Sequence, residues 1–99
     1  MDWRGLVLGG IYKLMFYVYF LKNRYDNIYV GYSADLRERF KAHNYGKVRS
    51  TRKGRPWKLI YYEAYLAEKD ARTRERTLKR YGSTLGQLKK RLRDSFKQV

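Results

Sequence analysis

The sequence contains no cysteine and a single histidine, His43. Without cysteine the chain cannot form disulfide bonds or thiolate metal sites, which is consistent with a reducing compartment and leads us to expect a cytoplasmic protein. A zinc site, or a Ser–His or Cys–His nucleophile, would depend on that one histidine, so the composition disfavours those chemistries. Any metal ion would be held by oxygen ligands.

Acidic residues are also scarce: 9 Asp and Glu stand against 24 Lys and Arg, which gives a net charge of +15. Such an excess strains a compact chain by self-repulsion unless an anionic partner offsets it. Nucleic acid is the partner that this balance favours, and an anionic membrane surface is the alternative. No apolar stretch is long enough to span a bilayer, which argues against membrane insertion.

The 99 residues are enough for one domain and too few for two. Residues 1–14 include a short apolar run but lack the small-residue cleavage site of a signal peptide. We interpret them as a leader, an added strand or an alternative start, and we place the domain at residues 15–99. The apolar run could instead dock a second copy of the chain or a protein partner that supplies specificity.

Two consecutive segments predict a β-hairpin. Residues 15–21, MFYVYFL, are β-branched and aromatic throughout, as expected for a central strand. The polar run KNRYDN supplies turn residues, and IYVG returns as the second strand. Alternation places Tyr19 on the same strand face as Tyr17 and Leu21.

A first helix is predicted through ADLRERFKAHN, with Ser33 as its cap and Gly46 as its stop signal. Its inward stripe contains His43, and Arg39 borders that stripe at helical spacing. The segment WKLIYYEAYL then predicts a third strand.

A second helix is predicted from residue 67 to residue 80, with Gly82 as its stop signal. Glu75 falls among small residues on its inward stripe, which is an unusual place for a carboxylate. Thr84 and Gln87 form a capping box for a last amphipathic helix over residues 84–97. The predicted order is ββαβαα, an α/β domain with a small mixed or antiparallel three-stranded sheet flanked by helices.

Several spaced elements now form one pattern: YVY at 17–19, YVG at 29–31, Arg39, and AxxxExxLK at 71–79. This pattern resembles the GIY-YIG endonuclease domain, especially its small stand-alone bacterial members, which are similar to the nuclease domains of the excision-repair incision enzyme and of homing endonucleases. The letters GIY also occur at residues 10–12, but Tyr12 lies 17 residues before Tyr29. The family separates its two tyrosines by about ten residues, which is the spacing of YVY and YVG.

The resemblance implies an endonuclease that hydrolyses phosphodiester bonds in DNA or structured nucleic acid, with Mg²⁺ or Mn²⁺ as cofactor, and it suggests DNA repair. Matched by position, Tyr19 and Tyr29 are the phenols near the scissile phosphate, Arg39 and His43 are the helical residues, and Glu75 is the metal ligand. The side chains of Glu75 and Arg39 suit phosphodiester hydrolysis. Mg²⁺ can be held by one carboxylate together with water molecules, and a guanidinium binds phosphate through a bidentate fork.

The general base is open between the two tyrosines. A phenol with a pKa near ~10 needs a neighbouring cation to act as a base at neutral pH, and Arg39, His43 or the metal ion could provide it. We favour Tyr19 as the base, with Tyr29 positioning the water or the phosphate, and the reverse assignment stays open. Some members of the family carry a lysine directly after YVG, where this chain has Tyr32.

The segment of residues 46–58, here called the basic loop, is rich in cations and contains Trp57. We expect it to follow a phosphate backbone without reading base sequence. Its six candidate nucleic-acid-binding residues are Lys47, Arg49, Arg52, Lys53, Arg55 and Lys58.

Each of these residues also has an ordinary structural explanation. Strand tyrosines usually pack with a solvated hydroxyl, and we assign Tyr17, Tyr61, Tyr62 and Tyr65 that role. The alternative function is therefore a basic nucleic-acid-binding module that has the same fold and cuts nothing.

Overall fold

The computed structural model describes residues 15–99, and it contains one three-stranded sheet. The strands are β1 (Phe16–Lys22), β2 (Ile28–Ser33) and β3 (Lys58–Tyr65), arranged in the order β2-β1-β3. Both pairings are antiparallel. The predicted hairpin and the central position of its first strand are therefore confirmed. The predictions for residues 1–14 lie outside the described residues.

Helices cover both faces of the sheet. They are α1 (Leu36–Asn44), α2 (Glu68–Arg80), α3 (Gly82–Arg91) and α4 (Arg93–Phe96), with a short 3₁₀ turn at Arg52–Gly54. The predicted order ββαβαα is confirmed, except that the last helix is divided in two. Between residues 15 and 99, no helix is long and apolar enough to cross a membrane.

The alternating side chains of β1 separate the interior into two apolar clusters. Val18 and Phe20 pack with the helical residues Ala71, Leu78 and Leu88. On the opposite face, Tyr19 and Leu21 belong to a cluster that contains Trp57 and is flanked by Leu36 and Phe40 of α1. The central strand therefore directs Tyr19 toward α1 and the basic loop.

The start of α1 differs from the prediction. Asp35, rather than Ser33, is the N-cap residue, and its Oδ1 accepts a hydrogen bond from the Glu38 amide at 3.2 Å. Ser33 is the last residue of β2, and its Oγ accepts from the Asp35 amide at 2.9 Å. The stop signal at Gly46 is confirmed, because Gly46 has a φ of +77°, which suits a residue without Cβ.

The C-terminal helices also differ from the prediction. Gly82 is the first residue of α3 instead of a stop signal, and the chain leaves α2 through the extended Tyr81. The Thr84–Gln87 capping box is wrong, since α3 begins two residues before Thr84. The helix at 84–97 is interrupted at Leu92, where the backbone leaves helical geometry with φ −105° and ψ 22°.

A polar clamp fixes α2 to the third strand. The Glu63 carboxylate accepts two hydrogen bonds from Arg74, at 2.9 and 3.0 Å, and further bonds from the hydroxyls of Tyr61 and Tyr65. Burial raises the pKa of Glu63, but the hydrogen bonds from Arg74 and the two tyrosines outweigh burial and hold it below its usual value. Tyr61 and Tyr65 are thus structural, and the clamp sets the position of Glu75, the next residue along α2.

Candidate active site

The two signature tyrosines meet on the sheet face that α1 covers. Tyr19 pairs directly with Gly31 across the hairpin, and the rings of Tyr19 and Tyr29 have centroids 6.3 Å apart. A Cβ atom at position 31 would lie 2.4 Å from Cζ of Tyr19 and 2.8 Å from Cε2 of Tyr29. Gly31 therefore provides the space into which both rings fit.

His43 lies under these rings and is completely buried. Its Nε2 is 2.7 Å from the Tyr19 hydroxyl, and its Nδ1 is 2.7 Å from Oγ1 of Thr51. Its ring also packs edge-on against Tyr29, with centroids 4.9 Å apart. Burial and the positive charge of Arg39 lower the pKa of His43 to about 4, so the imidazole is neutral at neutral pH.

Arg39 lies one helical turn before His43 and reaches both tyrosines. Burial lowers the pKa of Arg39, but hydrogen bonding and electrostatic attraction to the Tyr19 and Tyr29 hydroxyls raise it above its ordinary value. The pKa of Tyr19 is about 12, because burial raises it more than the hydrogen bond from Arg39 lowers it. Tyr19 is therefore a neutral phenol held between a guanidinium and an imidazole.

Glu75 reaches this group from α2. Its side chain is 19% exposed, and its Oε2 is 3.0 Å from Nζ of Lys79 one turn later. The Lys79 ammonium in turn lies 5.6 Å from the centre of the Tyr29 ring. Glu75 is also near enough for its charge to raise the pKa of Tyr19. The carboxylate thus lies on the same side of the molecule as the two tyrosines and Arg39.

The structure therefore brings together all five residues that the sequence singles out, from β1, β2, α1 and α2. Two further residues join them. Lys79 could have been suspected from its i, i+4 spacing to Glu75, whereas Thr51 lies in a loop and carries no local signal. Tyr32 is absent from the site: its hydroxyl donates to Glu68 at 2.7 Å, and Arg72 covers its ring.

The donors in this site suit a loosely held magnesium ion. Within residues 15–99, no group of three or more acidic or histidine side chains converges to form a complete metal cage. Glu75 offers one partly exposed carboxylate. Mg²⁺ takes most of its ligands from water and substrate phosphate in such sites, so a single protein carboxylate fits it.

The solvent-accessible part of the site lies on an open surface. A groove of about 860 Å³ lies nearby, between the start of α1 and the sheet residues Tyr17, Leu59 and Tyr62, and it includes none of the five residues. Arg39 and Lys79 are exposed, and Tyr29 is half-buried. A phosphodiester backbone could therefore reach Arg39, Lys79 and Tyr29 from solvent.

The basic loop is well ordered next to this site. Asn44 brackets the Trp57 backbone with hydrogen bonds of 2.6 and 2.9 Å, and the Trp57 indole donates to the Thr51 carbonyl at 2.8 Å. Asn23 holds the Gly54 carbonyl from the hairpin turn. The six candidate cations of the loop are all exposed. The anchored backbone therefore presents its charged side chains to solvent. One of them, Arg52, directly follows Thr51, which contacts His43.

Comparisons with known proteins identify the family of this chain. The model of the GIY-YIG catalytic domain matches residues 15–90. A UPF0213 protein of Clostridium perfringens is 39% identical over 67 residues, which cover 67% of this chain and 72% of that protein. A UPF0213 protein of Streptococcus pneumoniae is 40% identical over 65 residues, or 65% of this chain and 66% of the relative.

A solved structure is also similar to this chain. The solution structure of a UPF0213 protein from Bacillus halodurans is 30% identical, covers 76% of this chain and 85% of its own, and has a TM-score of 0.48. The family match extends over most of the chain and includes all five site residues. The chain belongs to the GIY-YIG domain family, a family of nuclease type.

Proposed function

We propose that this protein is an endonuclease that hydrolyses phosphodiester bonds in DNA or structured nucleic acid with Mg²⁺ or Mn²⁺. The observation that carries this proposal is the convergence of two phenols, one guanidinium and one carboxylate on an open surface. A cytoplasmic location, compatible with the lack of cysteine, and a role in DNA repair are parts of the same proposal.

Arg39 is the residue that binds the scissile phosphate. In the free protein its guanidinium interacts with the Tyr19 and Tyr29 hydroxyls, so it already lies at the site. A phosphate oxygen that accepts from this fork is held in a fixed direction, which a flexible ammonium could not provide. Substrate binding is then largely a matter of positioning, with little rearrangement of α1.

Glu75 is the residue that holds the divalent ion. When bound, the ion withdraws charge from the phosphoryl group and stabilises the leaving oxygen. In the free protein Lys79 neutralises Glu75. With Glu75 serving as the metal ligand, the Lys79 ammonium, which lies over the Tyr29 ring, would be available to bind a phosphate oxygen.

Burial separates the roles of the two tyrosines. The Tyr19 side chain has no exposed surface, and its pKa of about 12 keeps it protonated. Tyr29 is half-buried on the edge strand β2 and contacts solvent. We therefore assign the role of general base for the attacking water to Tyr29, the reverse of the assignment favoured from the sequence, and we assign to Tyr19 the positioning of Arg39.

The test is a panel of supercoiled, single-stranded and branched DNA and of RNA, incubated with and without Mg²⁺. The wild type should cut at least one substrate only when the metal is present. Glu75→Gln should abolish cutting and leave binding nearly intact, because it removes a metal ligand and no cation. Glu38→Gln is the matched control, since Glu38 pairs with Lys41 at the exposed surface of α1. Cutting by Glu75→Gln at the wild-type rate would reject Glu75 as the metal ligand.

A non-catalytic binding module is the second candidate. The exposed cations of the basic loop favour it, because they can bind phosphates whether or not the tyrosine site works. The same panel separates the two candidates. If every substrate remains intact while binding persists with Mg²⁺ or Mn²⁺ present, the enzyme proposal fails and the binding module stands.

A further inference from the structure

Thr51 belongs to a buried line of contacts that joins the Tyr19 hydroxyl, through His43, to the Val48 carbonyl. We infer that Thr51 is a positioning residue that holds His43 as the Nδ1–H tautomer, so that the Tyr19 oxygen presents its lone pairs to Arg39. The contacts of four consecutive groups carry this inference. Its consequence for catalysis rests on the proposed function, whereas the tautomer itself does not.

The direction of the line is set at its inner end. The Thr51 side chain and amide both approach the Val48 carbonyl, at 3.4 and 3.2 Å, and a carbonyl can only accept. If the Thr51 hydroxyl donates its single proton there, its oxygen must accept from Nδ1 of His43, 2.7 Å away. The proton of the neutral imidazole then resides on Nδ1.

The outer end of the line requires the same direction. With the proton on Nδ1, Nε2 of His43 is an acceptor, and the Tyr19 hydroxyl donates to it at 2.7 Å. The Tyr19 oxygen is then free to accept from Arg39, whose guanidinium can only donate. The line therefore runs from the Tyr19 hydroxyl through His43 and Thr51 to the Val48 carbonyl, each donor in it has an acceptor, and the Tyr19 oxygen keeps its lone pairs for the Arg39 guanidinium.

The opposite tautomer breaks this agreement at both ends. A proton on Nε2 would make His43 a donor to the Tyr19 oxygen, and the Tyr19 proton would then need another acceptor. At the inner end, Thr51 would donate to Nδ1 and leave the Val48 carbonyl without its hydroxyl contact. No buried side-chain polar atom in the described part of the chain lacks a partner. The observed contacts thus fit the Nδ1–H form.

The basic loop holds Thr51 in place independently of His43. Thr51 is 1% exposed, and its carbonyl accepts from the Trp57 indole. Trp57 belongs to the same apolar cluster as Tyr19 and is bracketed by Asn44 at the end of α1. The hydroxyl therefore approaches His43 from a fixed direction, and it can select one tautomer of the ring.

Nitrogen NMR of the full chain tests the tautomer directly. His43 is the only histidine, so the two ring nitrogens of an untagged sample give one unambiguous set of signals. At neutral pH the wild type should show a protonated Nδ1 and an unprotonated Nε2. Thr51→Val, which keeps the shape and loses the hydroxyl, should move the proton to Nε2 or give a mixture. Thr51→Ser should retain the wild-type pattern.

Two results would overturn the inference: an Nε2–H ring in the wild type, or a Thr51→Val spectrum identical to that of the wild type. If the valine variant does not fold, the wild-type spectrum alone still decides the tautomer. Thr84→Val on α3 makes the same Thr-to-Val replacement away from His43. As the control, it should leave the signals of the His43 ring nitrogens unchanged.

Cleavage assays test the consequence for catalysis. The rate at saturating DNA should fall by up to about a hundredfold in Thr51→Val, because a misplaced Arg39 no longer holds the phosphate in line. Thr51→Ser should restore most of the rate. A wild type that cuts nothing would contradict the proposed function and leave the NMR result standing. Normal cleavage by a valine variant with an altered tautomer would overturn the positioning role of Thr51.

Discussion

The Tyr19 hydroxyl lies 2.7 Å from Nε2 of His43, and both residues are completely buried. It joins the central strand to α1, and it places a titratable ring where water cannot solvate its charge. Burial, followed by the repulsion of Arg39, lowers the pKa of His43 to about 4. Protonation of this ring is therefore opposed by the fold.

Acid should destabilise the protein through His43. The unfolded chain binds a proton on His43 near pH ~6.5, whereas the folded chain binds it only near pH 4. The contribution of neutral His43 to the free energy of unfolding is therefore complete above the pKa of the unfolded chain. It is lost as the pH falls toward the pKa of the folded chain. The total effect is at most about 3 kcal/mol in the free energy of unfolding. Chemical denaturation at several pH values between neutrality and mild acid would measure this effect. The free energy of unfolding should depend less steeply on pH in His43→Gln than in the wild type. Identical pH dependences would contradict the prediction.

Gly31→Ala should damage both the fold and the site. The new methyl group would lie 2.4 Å from the buried Tyr19 ring, which has no free space to move into. We expect a loss of about 1–3 kcal/mol in the free energy of unfolding, as for other overpacked cores, together with loss of cleavage. Thermal and chemical denaturation would measure the change in stability.

Gly86→Ala is the matched control for that substitution. Within residues 15–99, no heavy atom outside the local turn of α3 lies within 4 Å of a Cβ added at this position. Alanine in a helix should raise the free energy of unfolding by about 0.5–1 kcal/mol. If Gly31→Ala were as stable as the wild type, the close packing of the two tyrosines around Gly31 would be wrong.

Arg39→Lys should impair cleavage although it keeps the charge. A lysine can contact one phosphate oxygen but cannot copy the planar fork that meets Tyr19 and Tyr29. We expect the rate at saturating DNA to fall by about a hundredfold, which is the usual cost of losing one oriented donor. Arg37→Lys, at an exposed position of the same helix, should cut normally. Near-normal turnover by Arg39→Lys would remove Arg39 from the site.

DNA binding should depend steeply on salt because of the basic loop. If its six exposed cations each contact one phosphate, the plot of log K against log salt has a slope of about −5 for duplex DNA. Replacing Lys47, Arg49 and Lys53 with alanine should make the slope shallower by about 3. Fluorescence anisotropy at several salt concentrations would measure both slopes.

The control for the loop variants removes the same charge from another surface. An unchanged slope in the control and a shallower one in the loop variant would assign the phosphate contacts to the loop. Equal slopes in the two triple variants would contradict that assignment. The control variant replaces three cations of α3 and α4 with alanine: Lys89, Lys90 and Arg93.

Some of the site was accessible from the sequence because it depends on local periodicity. Alternation along β1 fixed which face carries Tyr19, and the ten-residue spacing to Tyr29 placed the second phenol across the hairpin. Helical spacing likewise put Arg39 and His43 on one edge of α1. The strand alternation and the helical spacing follow from residue order alone, whereas the meaning of the ten-residue spacing came from the resemblance to the GIY-YIG domain.

Other features depended on contacts between distant parts of the chain. The position of Glu75 is set by the packing of α2 and by the clamp between Arg74 and Glu63, eleven residues earlier. Asp35 rather than Ser33 caps α1 because β2 extends to Ser33. Both residue types can cap a helix, so the sequence does not show which of them does so. The difference in burial between the two tyrosines also required the whole fold, because exposure is summed over every neighbouring element.

By itself the sequence determined the hairpin, the order of the elements and the residue types available for phosphate chemistry, since these are properties of composition and spacing. Only the tertiary structure decided that the Thr51 hydroxyl would reach Nδ1 of His43 and that Lys79 would lie over Tyr29. Loops and helix faces acquire such contacts through long-range packing, and no local pattern specifies which side chain of a loop points inward.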